Sequence, residues 1–215
     1  MWRDVEVGSG LNADPQVILG YPPARPVQGT LVVGPDARLR SGTVLYGGSV
    51  IGARFETGHN VVVREECRIG NDVSVWSGTV IDYGCRLGHS VKVHCNCYVA
   101  QFTDIGDDAF LAPGVTIAND LYPGDAGSAA VMSGPSIGPG AQIGVNVTIL
   151  PFVRIGAGAL IGAGATVTRD IPERAVAYGN PAVVRGSVDE LAPVGARVEE
   201  EQGAVSRFRF ADGVS

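Results

Sequence analysis

Apolar residues recur at every sixth position over a long stretch of this chain. From Val27 to Ile117, fifteen of the sixteen positions in the series are Val, Ile or Leu, and Thr57 is the exception. A second series runs from Ile137 to Val167. The two series are twenty residues apart, which is not a multiple of six, so a segment is inserted between them. A short fixed period of this kind indicates a repeat architecture.

A period of six fits neither the 3.6-residue repeat of a helix face nor the two-residue repeat of a single strand. It fits a short strand followed by a turn, stacked many times. The residue after the aliphatic position is often glycine, as at Gly34 and Gly52, and the residue four positions after it is usually small, with Phe55 as the bulky exception. Two inward residues per hexad suit a narrow prism with a dry centre. The pattern therefore predicts an all-β chain folded as a parallel β-helix.

These repeats resemble the hexapeptide-repeat acyltransferase family over residues 27–186. The resemblance implies a left-handed β-helix with three hexads per coil, so that residues eighteen apart lie above one another. It also implies a homotrimer with active sites between subunits. The closing passage is similar to the end of the family's prism, where a basic residue and a "DIP" turn correspond here to Arg169 and residues 170–172.

The pattern divides the chain into three parts. Residues 1–26 contain a proline-rich run and are expected to form a lead-in or cap that covers the first coil edge. The β-helix occupies 27–186 and is interrupted at 118–136 by a segment rich in Gly, Ser, Asp and Pro, which predicts an extended loop. A long loop in a regular scaffold commonly carries function. Residues 187–215 lose the repeat and form a C-terminal tail.

Composition and charge narrow the classes of function. The formal net charge is −6 and the pI is near 5.0, without a basic stripe, which argues against a nucleic-acid partner. No apolar run reaches about eighteen residues, and the first residues lack a signal-peptide core, so we expect a cytoplasmic protein that does not enter a membrane.

Cysteines follow the same pattern. Cys67, Cys85 and Cys97 fall at inward positions, which predicts buried, reduced thiols that act as small apolar fillers. Cys95 falls outside these positions, and a C-x-C pair alone is too little for a zinc site.

The motif GVTIANDLYP directly precedes the predicted loop. It resembles the TND-x-YP stretch of the branch that N-acetylates nucleotide-linked amino sugars, which implies that Asn119 and Asp120 hold the acceptor sugar and orient its amine. Gln101 and Tyr83 precede Asn119 by eighteen and thirty-six residues, so the three are expected to form a polar column that binds substrate together with Tyr122. By spacing alone, Asn119 could equally stabilise stacked turns through its amide.

Other branches of the family carry a catalytic histidine in the slot of Tyr122, so a histidine base is absent at that point. A neutral amine attacks a thioester directly, which favours N-acylation over O-acylation. Three histidines remain, His59, His89 and His94, and each could be an exposed turn residue. His94 is the best candidate base, because it follows an inward valine beside a polar patch and could face the loop of a neighbouring subunit.

The resemblance also implies that acetyl-CoA is the acyl donor. Coils rich in Gly and Ala between residues 144 and 165 would let a ligand reach backbone N–H groups, although turn geometry alone also favours these residues. Arginines near the end of the prism could meet the phosphates of the donor. The candidate cofactor contacts are Gly144, Gly162, Ala163, Arg169 and Arg185.

Several functions are compatible with these features. The leading hypothesis is an acetyl-CoA-dependent N-acetyltransferase acting on a nucleotide-activated amino sugar, and an O-acetyltransferase of a small hydroxylated molecule is an alternative. GHSVKVH resembles the zinc motif of γ-class carbonic anhydrases, with His59 as a third ligand. The Arg–Asp and Gln–Asp pairs that accompany that motif are not found, so no metal site is assigned. A non-catalytic β-helix protein is the third possibility, because fold alone does not give function.

Overall fold

The computed structural model of the protein describes residues 4–27 and 29–191. Almost every hexad in this part forms a two- or three-residue strand followed by a turn. The inward aliphatic residue ends most strands, and the next four residues turn the chain onto the next face. The strands form three parallel sheets around a triangular prism.

Each sheet takes every third strand of the chain. Sheet A consists of β1 (Val5–Val7), β4 (Leu31–Val33), β7 (Val50–Ile51), β10 (Arg68–Ile69), β13 (Arg86–Leu87), β16 (Asp104–Ile105), β19 (Ser136–Ile137) and β22 (Arg154–Ile155). Sheet B consists of β2 (Asn12–Ala13), β5 (Arg38–Leu39), β8 (Glu56–Thr57), β11 (Ser74–Val75), β14 (Lys92–Val93), β17 (Phe110–Leu111), β20 (Gln142–Ile143), β23 (Leu160–Ile161), β25 (Ala175–Tyr178) and β26 (Val183–Ser187). Sheet C consists of β3 (Ile18–Tyr21), β6 (Val44–Tyr46), β9 (Val62–Val63), β12 (Val80–Ile81), β15 (Tyr98–Val99), β18 (Thr116–Ile117), β21 (Thr148–Ile149) and β24 (Thr166–Val167).

The register confirms the predicted stacking of coils. Ile51 pairs with Ile69, and Ile69 pairs with Leu87, in each case eighteen residues on. Only β25 and β26 pair antiparallel among the strands of the described residues. The fold is the parallel β-helix that the repeats predict, in the left-handed form that the family resemblance implies.

The core is a set of columns of inward side chains along the prism axis. Aliphatic members such as Ile81 and Ile117, and even the bulky Phe55, are almost wholly removed from water. The polar member Thr57 is also buried, and its hydroxyl lies 2.8 Å from that of Thr43, so its polarity is satisfied inside the core.

The three inward cysteines behave as the pattern predicts. Cys67, Cys85 and Cys97 are buried and free of disulfides, whereas Cys95 is half-buried. Burial raises the pKa of the Cys97 thiol. The pKa of the Cys85 thiol is also raised, mainly by a hydrogen bond with Cys67 and secondly by burial.

Strands also form before the point where the sequence repeat begins. The first coil lies within residues 5–21, and β1, β2 and β3 pair in parallel with β4, β5 and β6. Most paired residues there are twenty-six apart, as Ala13 and Leu39 show, because an excursion within residues 22–30 separates β3 from β4. Val27, the first position of the predicted series, lies in this excursion rather than in a strand.

At the other end, β25 adds to sheet B beside β23, and β26 folds back on it. A short 3-10 turn, Val188–Glu190, follows, and the tail predicted at 187–215 lies outside the described residues beyond Leu191. Within the described part of the chain, no helix is long and apolar enough to span a bilayer.

Candidate functional site

Both excursions leave the prism at one corner. Residues 22–30 connect β3 of sheet C to β4 of sheet A, and residues 118–135 connect β18 of sheet C to β19 of sheet A. We call the edge that joins these two sheets the C–A corner. A second 3-10 turn, Ser128–Ala130, lies inside the later excursion. Both insertions into the regular prism thus lie on one edge, and this edge is where the surface departs most from the repeat.

A chain of hydrogen bonds runs along the C–A corner between the two excursions. Asn119 donates from Nδ2 to Oε1 of Gln101 at 2.6 Å, and Gln101 donates from Nε2 to Oδ2 of Asp82 at 2.6 Å. The predicted stacking of Asn119 on Gln101 is therefore present. The next partner is Asp82 and not Tyr83, whose ring instead packs edge-on against Phe102 with centroids 5.3 Å apart.

Asp82 is a buried acceptor at the centre of this chain. Its side chain is 7 % exposed, and Tyr98 donates its hydroxyl to Oδ2 at 2.7 Å. The backbone N–H of Tyr83 donates to Oδ1 at 2.8 Å, and Nη1 of Arg64 lies 3.4 Å from the same oxygen. Burial, and then the hydrogen bond to the Asp82 carboxylate, raise the pKa of Tyr98 to about 12, so this phenol acts as a donor at neutral pH.

Glu65 is a second buried carboxylate and lies in the coil that precedes the coil of Asp82. Its side chain has no exposed surface, and it accepts from Nε of Arg64 at 2.8 Å and from Nε of Arg25 at 2.9 Å. Burial by itself would raise the pKa of Glu65, but the hydrogen bonds from the two arginines outweigh it, and the pKa lies below its ordinary value.

Arg25 attaches the first excursion to this corner. Besides Glu65, its guanidinium contacts Glu66 and lies 4.0 Å from the centroid of the Tyr83 ring. Cation–π contacts of this geometry are favourable. The Arg25 side chain thus reaches from residues 22–30 to two successive coils of the prism.

The later excursion is organised around its first residues. Asp120 accepts the backbone N–H of Tyr122 at Oδ1, 2.8 Å away, which is an Asx turn, and the carbonyl of Asn119 accepts from the N–H of Ser133 at 3.0 Å. The Tyr122 side chain is exposed. Asp120 and Tyr122 therefore lie beside Asn119, where the sequence motif predicted a substrate contact, and Asp120 also has a structural role in the turn.

His94 lies on a different edge, between sheets B and C. Its ring stands between Trp76 and Phe110, with centroids 5.7 and 4.8 Å away, and is half-buried. Nε1 of Trp76 is buried and has no hydrogen-bond partner among the described residues. His94 and Asn119 thus lie on different edges of one chain, and the expectation that His94 faces the loop of a neighbouring subunit stays a prediction.

The other two histidines form hydrogen bonds with residues of the neighbouring coil. Nδ1 of His59 lies 2.9 Å from the Ser41 hydroxyl, and Nδ1 of His89 accepts the backbone N–H of Asn71 at 3.1 Å. In residues 4–27 and 29–191, no three His, Cys, Asp or Glu side chains are grouped so that they could hold a metal ion.

The predicted cofactor contacts are spread over the end of the prism. Gly144, Gly162 and Ala163 lie on the edge between sheets B and C, Arg169 lies exposed after β24, and Arg185 lies on β26 with its guanidinium 5.7 Å from the Tyr178 ring. A Cβ atom at Gly144 would come within 2.6 Å of the Ala163 backbone nitrogen. Close contact between coils thus requires glycine at that position, whatever ligand the surface binds.

Sequence reasoning missed the charged members of the C–A corner. Arg64 and Asp82 are eighteen residues apart and of opposite charge, so the coil period alone could have predicted their contact. The ion pair of Arg25 with Glu65 had no such signal, because Arg25 lies in an excursion whose path the repeat does not determine.

The repeats match a known family. A family described as "Bacterial transferase hexapeptide (six repeats)" matches residues 134–169. Residues 134–169 are thus similar to the hexapeptide repeats of bacterial transferases. This match covers the last coils of the prism, from β19 to the residues after β24.

Two curated relatives carry enzyme names. Serine acetyltransferase 4 of Arabidopsis thaliana is 40 % identical over 89 residues, which cover 41 % of this chain and 25 % of that protein. The dTDP-3-amino-3,6-dideoxy-alpha-D-galactopyranose 3-N-acetyltransferase of Aneurinibacillus thermoaerophilus is 38 % identical over 77 residues, which cover 35 % of this chain and 40 % of that protein. The chain spans from a quarter to two-fifths of the length of these relatives.

Solved structures provide a further comparison. The UDP-N-acetylglucosamine acyltransferase from Campylobacter jejuni aligns over 86 % of this chain and 69 % of its own, with 19 % identity and a TM-score of 0.42.

Proposed function

We propose that this protein is an acetyl-CoA-dependent N-acetyltransferase acting on a nucleotide-activated amino sugar at the C–A corner. The observation that carries the proposal is the position of Asn119. It is half-buried at the root of the 118–135 excursion and fixed to Gln101, and its Oδ1 accepts no hydrogen bond from any described residue. A carbonyl oxygen in this position can accept an N–H of an acceptor amine.

The chemistry suits an amine better than a hydroxyl. The amine lone pair attacks the thioester carbonyl carbon, the C–S bond breaks, and the departing CoA thiolate takes up the proton that the nitrogen loses, giving an amide and free thiol. An amide oxygen is too weak a base to take a proton from the amine. It can accept a hydrogen bond from the N–H that stays on the nitrogen throughout the attack. A hydroxyl must release its only proton, and the hydrogen-bond chain of Asn119 contains no histidine to accept it.

The named relatives support acyl transfer from acetyl-CoA and favour two acceptors. The Aneurinibacillus relative is named for a nucleotide-linked amino sugar, which agrees with the TND-x-YP resemblance. The Arabidopsis relative is named a serine acetyltransferase, so O-acetylation of a small hydroxylated acceptor is the second candidate. O-acetylation would require a base such as His94 contributed by another subunit.

A homotrimer with the acceptor site between subunits completes the proposal. In this arrangement, the edge of one chain that carries His94, Gly144 and Gly162 would face the 118–135 excursion of its neighbour. The donor would then lie along the Gly/Ala-rich coils, where Arg169 and Arg185 could contact its phosphates.

Release of free thiol from acetyl-CoA tests the activity directly. The protein is mixed with acetyl-CoA and a panel of nucleotide-linked 3-amino and 4-amino sugars, with L-serine, L-alanine and the corresponding hydroxy sugars as alternatives. We expect release only with the amino sugars. Release with a hydroxy sugar, or with L-serine but not with L-alanine, would identify the O-acetyltransferase, and no release with any amino sugar would refute the proposal.

Matched amide deletions locate the site. Asn119→Ala should lower kcat/KM for the acceptor by about tenfold or more, because a hydrogen bond of about 1.4 kcal/mol corresponds to a factor of ten. Asn12→Ala removes an exposed amide on β2, far from this excursion, and should leave kcat/KM unchanged.

A further inference from the structure

The hydrogen-bond chain at the C–A corner has a direction, and Asp82 sets it. A carboxylate can only accept hydrogen bonds, whereas the amides of Gln and Asn have one donor end and one acceptor end. Asp82 Oδ2 lies 2.6 Å from the Gln101 amide, so Gln101 must present Nε2 to it. The oxygen and nitrogen of an amide are assigned from such partners, and here the partner leaves only one choice.

The direction passes on to Asn119. With Nε2 of Gln101 committed to Asp82, Oε1 faces the next coil, 2.6 Å from the Asn119 amide. Two oxygens cannot share a hydrogen bond without a proton, so Asn119 must present Nδ2. Its Oδ1 is then the end that is left over, and no described residue donates to it.

We infer that Asp82 is a positioning residue, which acts through Gln101 to hold Asn119 with its carbonyl oxygen available to an acceptor amine. The inference rests on the proposed N-acetyl transfer and deepens it, because it gives the physical reason for a preference for acceptors that donate an N–H. The nitrogen gains positive charge as it attacks the thioester, and hydrogen bonds from a charged donor are stronger than neutral ones. An Asn119 of fixed direction therefore stabilises the attack more than it stabilises the bound amine.

The variant Asp82→Asn tests the direction. An amide at position 82 can donate as well as accept, so Gln101 can turn over, and Asn119 with it. In NMR spectra of perdeuterated, ¹⁵N-labelled wild-type protein, we expect one set of side-chain NH₂ signals each for Gln101 and Asn119. These signals are assigned from their loss in the variants Gln101→Met and Asn119→Leu. In Asp82→Asn these signals should shift and either broaden or double. Unchanged signals would overturn the inference, whether or not the enzyme turns over any acceptor.

Kinetic measurements distinguish the effect of the Asn119 orientation from the effect of losing a single contact with Asp82. With the best amine of the thiol-release panel, Asp82→Asn should lower kcat by about tenfold, with a smaller change in KM, for the loss of about one oriented hydrogen bond. Tyr98→Phe removes another donor to the same Asp82 oxygen but leaves an acceptor-only carboxylate, so the NH₂ signals of Asn119 should stay single. Asp82→Glu keeps the acceptor-only end and should restore the wild-type pattern in part.

Two results would contradict the positioning role. An Asp82→Asn enzyme with wild-type kcat would refute it, and so would a Tyr98→Phe protein that reproduces the doubled NH₂ signals, since both variants would then only loosen the corner. Should Asp82→Asn fail to fold, Gln101→Glu gives the converse test, because a carboxylate at 101 accepts from Asn119 and fixes Nδ2 toward it; the NH₂ signals of Asn119 should then stay single, and doubled signals would overturn the inference. Absence of thiol release by the wild type would refute the proposed function and leave the NH₂ signals as the test of direction.

Discussion

Glu65 and Asp82 place two carboxylates inside the C–A corner, where an unpaired charge would be costly. Each is surrounded by donors: Arg25 and Arg64 for Glu65, and Tyr98, Gln101 and Arg64 for Asp82. Arg64 lies between the two and contacts both. These groups therefore behave as one network, in which the loss of any member leaves a buried polar partner unsatisfied.

Removal of the Glu65 charge tests this network. We expect Glu65→Gln to lower the free energy of unfolding by about 1–3 kcal/mol, because it leaves arginine donors poorly satisfied in a buried site. Urea denaturation at pH 7 measures the change. Arg54→Gln breaks the exposed pair with Asp72 and should give no measurable change.

The same pair of proteins has a defined pH dependence. The pKa of Glu65 lies below its ordinary value of 4.5 in the folded protein, so its stabilisation is fully present above that value and is lost as the pH falls through the lower folded-state pKa. The difference in stability between wild type and Glu65→Gln should thus be constant near neutrality and shrink in acid. A difference that stays the same down to unfolding would contradict the assignment.

Cysteine reactivity reports on the core. Cys67, Cys85 and Cys97 are buried, and the pKa values of Cys85 and Cys97 are raised, so their reactive thiolates are scarce. We expect a disulfide reagent at pH 8 to modify one thiol rapidly in the folded protein and four after denaturation. Cys95→Ser should abolish the rapid phase, and two or more rapid thiols would show a looser core.

At the scale of elements, the prism tolerates insertions only where the coil register is preserved. Ile105 pairs with Ile137, although thirty-two residues separate them instead of eighteen. The 118–135 excursion thus begins and ends at points that leave both flanking strands in register. The buried Pro135 takes the small inward position before β19.

A deletion separates the excursion's structural and functional roles. Removal of the fourteen residues 120–133 brings Ile117 and Ile137 six residues apart, which should preserve cooperative unfolding and abolish thiol release. Removal of only 121–133 leaves one residue too many for the turn and should lower Tm relative to the first deletion. Acceptor-dependent thiol release by the fourteen-residue deletion would show that the excursion does not form the site.

At the scale of the molecule, the three faces differ in character. The outward side chains of sheet C begin with Ile18, Val44, Val62 and Val80, whereas sheet B presents charged residues at Arg38, Glu56 and Lys92. The cores of protein interfaces are depleted of charged residues. Sheet C is therefore the face that we expect to contact other subunits in the proposed trimer.

Light scattering after size exclusion tests this face. We expect the wild type to elute with about three times the chain mass of 22.2 kDa, and Val62→Arg to dissociate because it buries a charge in the interface. Lys92→Glu on sheet B should remain trimeric. A monomeric wild type would contradict the trimer, and a trimeric Val62→Arg would move the interface to another face.

The hexad period determined the prism, its inward columns and the position of the later excursion, because each inward side chain is selected locally by its place in a coil of fixed length. The stacking of Asn119 on Gln101 followed from the same period. The contact of Arg64 with Asp82 could have been predicted from the same period, since it also joins residues eighteen apart.

Only the tertiary structure decided how the excursions return to the prism. It placed Arg25 against Glu65, gave the first coil a different spacing, and directed Gln101 to Asp82 instead of Tyr83. These contacts depend on the path of an irregular segment and on the rotamers of buried polar groups, which the repeat leaves open. Their partners are fixed by the requirement that every buried charge and amide be satisfied at once, and that requirement can be evaluated only when the whole corner is assembled.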